Sequence, residues 1–258
     1  IHTLDHLASV KLVVAKALAA DGLLVLNAED PLLVRHAKAT GVARIGWFAL
    51  ALDDALARGA LACGVRDGRL LLSRNGIEHD LGGVDAMPLT MGGAARYNIA
   101  NIAGAALAAD VMGVPVDTIG DVLSRFGAAN DDNPGRLQRW TLGDVEVLLD
   151  YAHNPDGLRG LLDVASGLRH GGRLGLLLGH AGNRLESDFH ALAEVAAAAN
   201  PDRVWLKDIA GEYLRGRASG DVAMILRDAL LASGMFDANL PVCLHETLAV
   251  REALAWAQ

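Results

Sequence analysis

Between Val145 and Ala257 the sequence changes period again and again. Short apolar runs at 145–150, 173–178, 203–207 and 242–244 alternate with helix-patterned stretches at 155–168, 186–199, 220–233 and 247–257. Strands that alternate with helices over short connections pair in parallel through crossovers, and each face of such a sheet is covered by helices. The rhythm therefore predicts a Rossmann-like α/β domain with a mostly parallel, doubly wound sheet. In such sheets ligands bind beyond the carboxyl ends of the strands.

The preceding half is organised differently. A helix is expected over 4–20, a strand over 23–26, a helix over 32–40 stopped by Gly41, and a strand over 45–49. Residues 60–66 and 69–74 flank Asp67-Gly68, a hairpin turn signal, and 77–81 and 87–90 extend the β region. Helices follow at 98–112 and 117–126, with Asp117 as the expected cap of the second. The segment Gly127–Gly135, rich in Gly, Asn, Asp and Pro, then reads as a linker with a hinge near Ala128–Pro134. Two domains are expected, 1–132 and 133–258. The hydrophobic share of 52% with only 4% aromatics fits Ala-, Leu- and Val-rich helices packed on buried sheets. The chain begins at Ile1, already inside a helical pattern, and reads as part of something longer.

A net charge of −8 argues against a general nucleic-acid surface, which needs a basic face, while leaving room for a local cationic pocket. Cys63 and Cys243 have neither metal spacing nor a disulfide framework, which fits a reducing cytoplasm. No apolar run reaches the roughly 18 residues a membrane helix needs, so no membrane is expected. A homo-oligomer stays open.

Asp150-Tyr-Ala-His-Asn-Pro155 is the strongest local signal. It lies where a strand ends and a helix begins. Asn154-Pro155 is explained as an N-cap followed by proline at the first helical position. Capping does not account for a carboxylate, a phenol and an imidazole beside it, so Asp150, Tyr151 and His153 are candidate functional residues. Arg136, in Asn133-Pro-Gly-Arg136, follows the linker and offers a guanidinium fork suited to phosphate, or is simply a surface arginine after a turn. Arg96-Tyr-Asn98 opens a helix behind Gly92-Gly93, and Gly179-His-Ala-Gly-Asn-Arg184 is a loop after a strand. Either is an anion site or an ordinary capped start. Lys11 is a solvated lysine on its own merits. His2, Asp5 and His6 suggest a metal only weakly, and no metal ligand is assigned.

Together these segments resemble the Mur ligase family, which joins a carboxylate to an amine using ATP. The likeness runs through Leu7-Ala-Ser-Val-Lys11, Val25-Leu-Asn-Ala-Glu-Asp-Pro31, Arg96-Tyr-Asn-Ile-Ala-Asn101, Pro134-Gly-Arg-Leu137 and Asp150-Tyr-Ala-His-Asn-Pro155. Leu214-Arg-Gly-Arg217 points to the cyanophycin branch of that family. The resemblance implies that Lys11 is a lysine carbamylated to help hold Mg²⁺, and that Asn98 contacts the adenine side of ATP. It implies nucleotide contacts for Arg136 and Asp150, with Tyr151, His153 and Asn154 lining the same cleft and His153 near the phosphates. Arg184 matches a loop facing the incoming substrate, although Asn183 stands where the family usually has Asp.

The resemblance further implies that residues 1–132 are the tail of a P-loop-type central ATPase domain and 133–258 the C-terminal domain. The cofactors would be ATP and Mg²⁺, and the substrates an amino-acid amine and a carboxylate or peptide acceptor. The family's Gly-Lys-Thr/Ser phosphate loop occurs nowhere in the sequence, so the chain is expected to be inactive alone. That absence also motivates the competing reading, a non-catalytic module that binds a nucleotide or partner. A dinucleotide-dependent oxidoreductase lacks support, because no Gly-x-Gly-x-x-Gly follows a strand.

Overall fold

The structure is a computed structural model describing residues 3–209 and 211–258. The chain divides into two compact units, 1–132 and 133–258.

The first unit is built on a five-stranded sheet, β1 (Leu24–Asn27), β2 (Ile45–Ala51), β3 (Ala62–Arg66), β4 (Arg69–Arg74) and β5 (Ile77–Gly83), in that spatial order. β1, β2 and β3 run parallel and β3, β4 and β5 antiparallel. The antiparallel part follows from two tight turns. Asp67-Gly68 and Asn75-Gly76 all have positive φ, as a two-residue hairpin turn matched to strand twist requires.

Side chains alternate across this sheet. Leu24, Leu26, Trp47 and Ala49 enter one core, shared with α3 (Leu52–Leu56). Val25, Phe48 and Leu72 enter the other, beneath α4 (Arg96–Val111) and α5 (Val116–Leu123). Each fully buried leucine contributes about 1.5–3 kcal/mol, so both faces are firmly covered.

Three expectations change in this unit. The single helix over 4–20 is α1 (Leu4–Lys11) followed by a 3₁₀ stretch, Leu12–Ala17. The pair Val13-Val14 is β-branched and stiff in an α-helix, and apolar spacing alone does not separate α from 3₁₀. Residues 87–90 form no strand: Pro88 has no ladder N–H, and the Thr90 hydroxyl turns back to the Val84 and Met87 carbonyls in a 3₁₀ turn. Pro115, not Asp117, occupies the N-cap of α5, and Asp117 sits in the first turn, where a negative charge suits the helix dipole. The expected linker is itself folded in part. Asn130–Asp132 make a 3₁₀ turn, and the Asp132 carboxylate accepts from the backbone N–H groups of Gly127 and Ala129 at 2.9 and 3.2 Å.

In the second unit, β8 (Gly175–Leu178) and β9 (Arg203–Leu206) are parallel, and Val242 extends this pairing by a parallel bridge to Leu206. The expected strand over 242–244 is therefore reduced to that bridge. The other expected neighbour, β7 (Val145–Leu149), has its ladder with β6 (Gln138–Leu142) in an antiparallel hairpin turned at Gly143. β6 was not foreseen, because its side chains are mostly exposed and leave no apolar signature. The helices are α6 (Pro155–Leu168), α7 (Glu186–Ala198), α8 (Asp221–Ala232) and α9 (Glu246–Ala257). Val204 and Leu206 face a core formed with Leu162, Phe189, Leu192 and Leu226. Trp205, on the opposite face, meets Trp256 of α9 edge-on at 5.3 Å. The unit is thus α/β with a parallel centre, whose strand ends carry the loops described next.

Candidate functional site

Two loops of the second unit define the site. The first, Asp150–Asn154, leaves β7 and enters α6. Its end is a built cap: Asn154 Oδ1 accepts from Gly157 N at 2.8 Å, with Pro155 at the first helical position. Its start is a clamp. Asp150 Oδ2 accepts from Leu137 N and Oδ1 from Ala152 N, both at 2.8 Å. Tyr151 N donates to the Gly135 carbonyl at 2.9 Å. The segment carrying Arg136 is thereby tied to the strand end by one side chain and one backbone bond. Leu137 is held at φ +45°, a left-handed conformation costly for leucine, and its N–H is the one Asp150 receives.

On this frame Tyr151 is 62% exposed. The Arg136 guanidinium lies 5.3 Å from the Tyr151 centroid, and the His153 ring 5.0 Å from it at 51°. His153 is exposed, yet it is held below its usual imidazole range, first by the hydration it loses to its neighbours and then by the positive fields of Arg184, Arg136 and His180, with Asp150 opposing. Arg184 stands on the second loop, so the field at His153 comes from both loops. Among the described residues Arg136 and Arg184 have no ion-pair partner. Two cations without ion-pair partners, an exposed aromatic ring and an imidazole disfavoured as a cation make this cluster the candidate site of the unit.

The second loop, 179–184, leaves β8. Arg217 Nε donates to the Gly182 carbonyl at 2.9 Å, and Gly182 N donates to the Tyr213 carbonyl at 2.9 Å. A Cβ on Gly182 would stand 2.1 Å from the Leu214 carbonyl oxygen, so only glycine allows this approach. The motif Leu214-Arg-Gly-Arg217 is thus the brace of the Arg184 loop. Further along the same edge, Asp208 is 4% exposed, and its Oδ2 accepts from Ser219 Oγ and Gly220 N, both at 2.8 Å, at the start of α8. Sequence reasoning missed Asp208 and His180. The only available signal was their place just past a strand.

The remaining candidates lie in the first unit, and the structure assigns them no common site. Lys11 is exposed, at the last residue of α1. Asn98 is partly buried near the start of α4. Its Nδ2 donates to the Leu89 carbonyl at 2.9 Å and its Oδ1 accepts from Asn101 at 3.3 Å, so much of its amide is already used. The weak metal suggestion at the chain start fades. Asp5 pairs with Arg35 and, at 2.9 Å, with His36, and His2 lies outside the described residues. Among the described residues no group of three or more His, Cys, Asp or Glu side chains converges as a metal site requires, and no helix is long and apolar enough to cross a membrane.

The second unit is thus an α/β domain with a parallel centre, whose strand-end loops carry the candidate residues. Residues 135–258 match the model of the Mur ligase, glutamate ligase domain, and the second unit belongs to that domain family. Among curated proteins it is 34% identical over 262 residues to the cyanophycin synthetase of Crocosphaera subtropica, an alignment covering 98% of this chain and 29% of that protein. It is 33% identical over 190 residues to the UDP-N-acetylmuramoyl-L-alanyl-D-glutamate–2,6-diaminopimelate ligase of Alkalilimnicola ehrlichii, covering 65% of this chain and 36% of the relative. Among solved structures, E. coli FolC in complex with DHPP and ADP superposes with a TM-score of 0.67 at 18% identity, over 97% of this chain and 51% of that one. MurF from Acinetobacter baumannii gives 0.65 at 16%, over 98% and 49%. The chain therefore spans less than a third of the cyanophycin synthetase it matches and about half of the two solved structures.

Proposed function

We propose that this chain is the C-terminal part of an ATP-dependent ligase of the cyanophycin-synthetase type, working in the cytoplasm. Residues 1–132 would be the tail of its central nucleotide-binding domain. The reaction joins a carboxylate or peptide acceptor to an amino-acid amine through an acyl phosphate. The observation that carries the reading is the cluster of Arg136, Tyr151, His153 and Arg184, presented by two strand-end loops within a unit matched by the family model.

ATP fits these residues. Tyr151 offers an open aromatic face, and Arg136 offers a fork of donors for phosphate oxygens. His153 can donate to a phosphate oxygen. Its depressed affinity for a proton rises when an anion offsets the two arginines. Asp150 serves mainly as the clamp that aims Arg136, since both its oxygens are engaged by backbone N–H groups. Arg184 faces the amine substrate from the braced loop. Catalysis of this kind rests on placement and charge neutralisation rather than on covalent chemistry by side chains.

Mg²⁺ finds no converging ligand set among the described residues. When bound with the nucleotide it neutralises phosphate charge, and a carbamate on Lys11 is the one contribution assigned to this chain. With no Gly-Lys-Thr/Ser loop in its sequence, the chain alone is assigned no turnover.

In the enzyme that contains this chain, Arg136→Ala should raise the Kd for AMPPNP by about ten- to a hundredfold, the loss of a charge-assisted contact of roughly 1.5–3 kcal/mol. The melting temperature should not move. Unchanged nucleotide affinity would refute the reading and favour the alternative, a partner-binding module without a nucleotide.

A further inference from the structure

His180 is the one buried imidazole in the site, and no role above accounts for it. It is 9% exposed and follows β8 by two residues, at the root of the Arg184 loop. Its Nε2 lies 2.9 Å from the carbonyl oxygen of His153, on the other loop, and its Nδ1 lies 3.0 Å from the carbonyl of Ala181, on its own. The ring is held edge-on against Phe189 of α7, with centroids 5.7 Å apart, so it cannot swing without disturbing the core. Phe189 is also the ring beneath Arg217, whose guanidinium carbon is 5.4 Å from its centroid. A neutral imidazole carries one N–H, so only one of these carbonyls receives a hydrogen bond; with the proton on Nε2 this buried side chain ties the backbone that carries His153 to the loop that carries Arg184. The brace of that loop shares the same aromatic support.

We infer that His180 is a positioning residue that couples the two loops, so that an anion ordering residues 150–154 also orders residues 179–184 through the Nε2–H bond to the His153 carbonyl. A nucleotide held by Arg136 and His153 would then set the Arg184 loop for the amine before the amine arrives. The inference rests on the nucleotide reading of residues 136–154 and adds to it a direction of communication. The physical requirement is modest. Coupling between sites runs through packed side chains and hydrogen bonds that join them, and a ring packed on Phe189 and in contact with the His153 carbonyl supplies both.

The test is amide hydrogen exchange on the enzyme containing this chain, with and without AMPPNP and Mg²⁺, for wild type, His180→Phe and His180→Gln. Phenylalanine keeps a ring against Phe189 and removes the donor. Glutamine supplies an N–H of similar reach. In wild type AMPPNP should slow exchange in both loops, by about fivefold or more, the lower end of ordinary coupling. In His180→Phe the slowing should persist at 150–155 and vanish at 179–185, and His180→Gln should restore it there. Equal slowing of both loops in all three proteins would overturn the coupling and leave the nucleotide reading intact. No slowing at 150–155 in wild type would overturn both. If His180→Phe fails to fold, His180→Leu, which also lacks the donor, takes its place: loss of slowing at 179–185 in it, restored in His180→Gln, supports the bond as the link, and retained slowing in it overturns the coupling.

Discussion

The two units spend their polar groups in opposite ways. In the first, the fold consumes two of the polar residues singled out by sequence: Asn98 holds the Leu89 carbonyl, and Asp5 pairs with Arg35 and His36. In the second, the fold consumes Asp150, Asn154 and His180 in order to leave Arg136, Tyr151, His153 and Arg184 open. A motif residue is therefore not one kind of thing. Within a single run of five residues, some side chains build the platform and others stand on it.

That contrast can be broken by experiment. The largest effect concerns turnover. The isolated chain should hydrolyse no ATP and form no amide, because 258 residues without a Gly-Lys-Thr/Ser loop lack the cradle for the phosphates. Measurable turnover by a preparation free of contaminating ligase would mean that these residues hold the phosphates without that loop. Next is Asp150. Replacing it by Ala strips the acceptor from two backbone N–H groups and should cost about 1–3 kcal/mol of unfolding free energy, while His153→Ala, at an exposed position, should stay within about 0.5 kcal/mol. Chemical denaturation of both variants decides it. Equal losses would erase the division between platform and displayed groups. A smaller loss than at Asp150 is expected at Asn98→Ala, about 1 kcal/mol, chiefly from the bond to the Leu89 carbonyl, since the bond from Asn101 is long and exposed. If it also weakened AMPPNP binding tenfold or more in the whole enzyme, the first unit would hold an open contact after all.

Much of this was legible in the sequence, and the physics says which part. Turns and caps are local. Asp67-Gly68 and Asn154-Pro155 dictate their own geometry, and both formed as read. Buried strands and helices announce themselves by period, which located β8, β9 and all four helices of the second unit within two residues. What stayed hidden depends on distant partners. β6 exists because β7 offers it a ladder, since its own side chains are mostly exposed. The Asp150 clamp requires knowing that Leu137 comes back to it. His180 and Asp208 are ordinary polar residues until the fold buries them. The candidate residues could be named from their motifs, but the sequence could not show which of them the fold consumes.

The central claim is that Arg136, His153 and Arg184 form an anion site, and His153 reports on it directly. Its proton affinity is held below the ordinary value of about 6.5, so the unfolded chain takes up that proton first. Its contribution to stability is therefore complete above about pH 6.5 and is lost as pH falls toward the folded value, a slope that His153→Ala should flatten. A bound phosphate chain reverses the field of the two arginines. The measurement is an NMR titration of the His153 ring in the enzyme containing this chain, with and without AMPPNP. The account predicts a free-state pKa below 6.5 that rises when AMPPNP binds. A ring titrating at its ordinary value, indifferent to saturating AMPPNP, would contradict it.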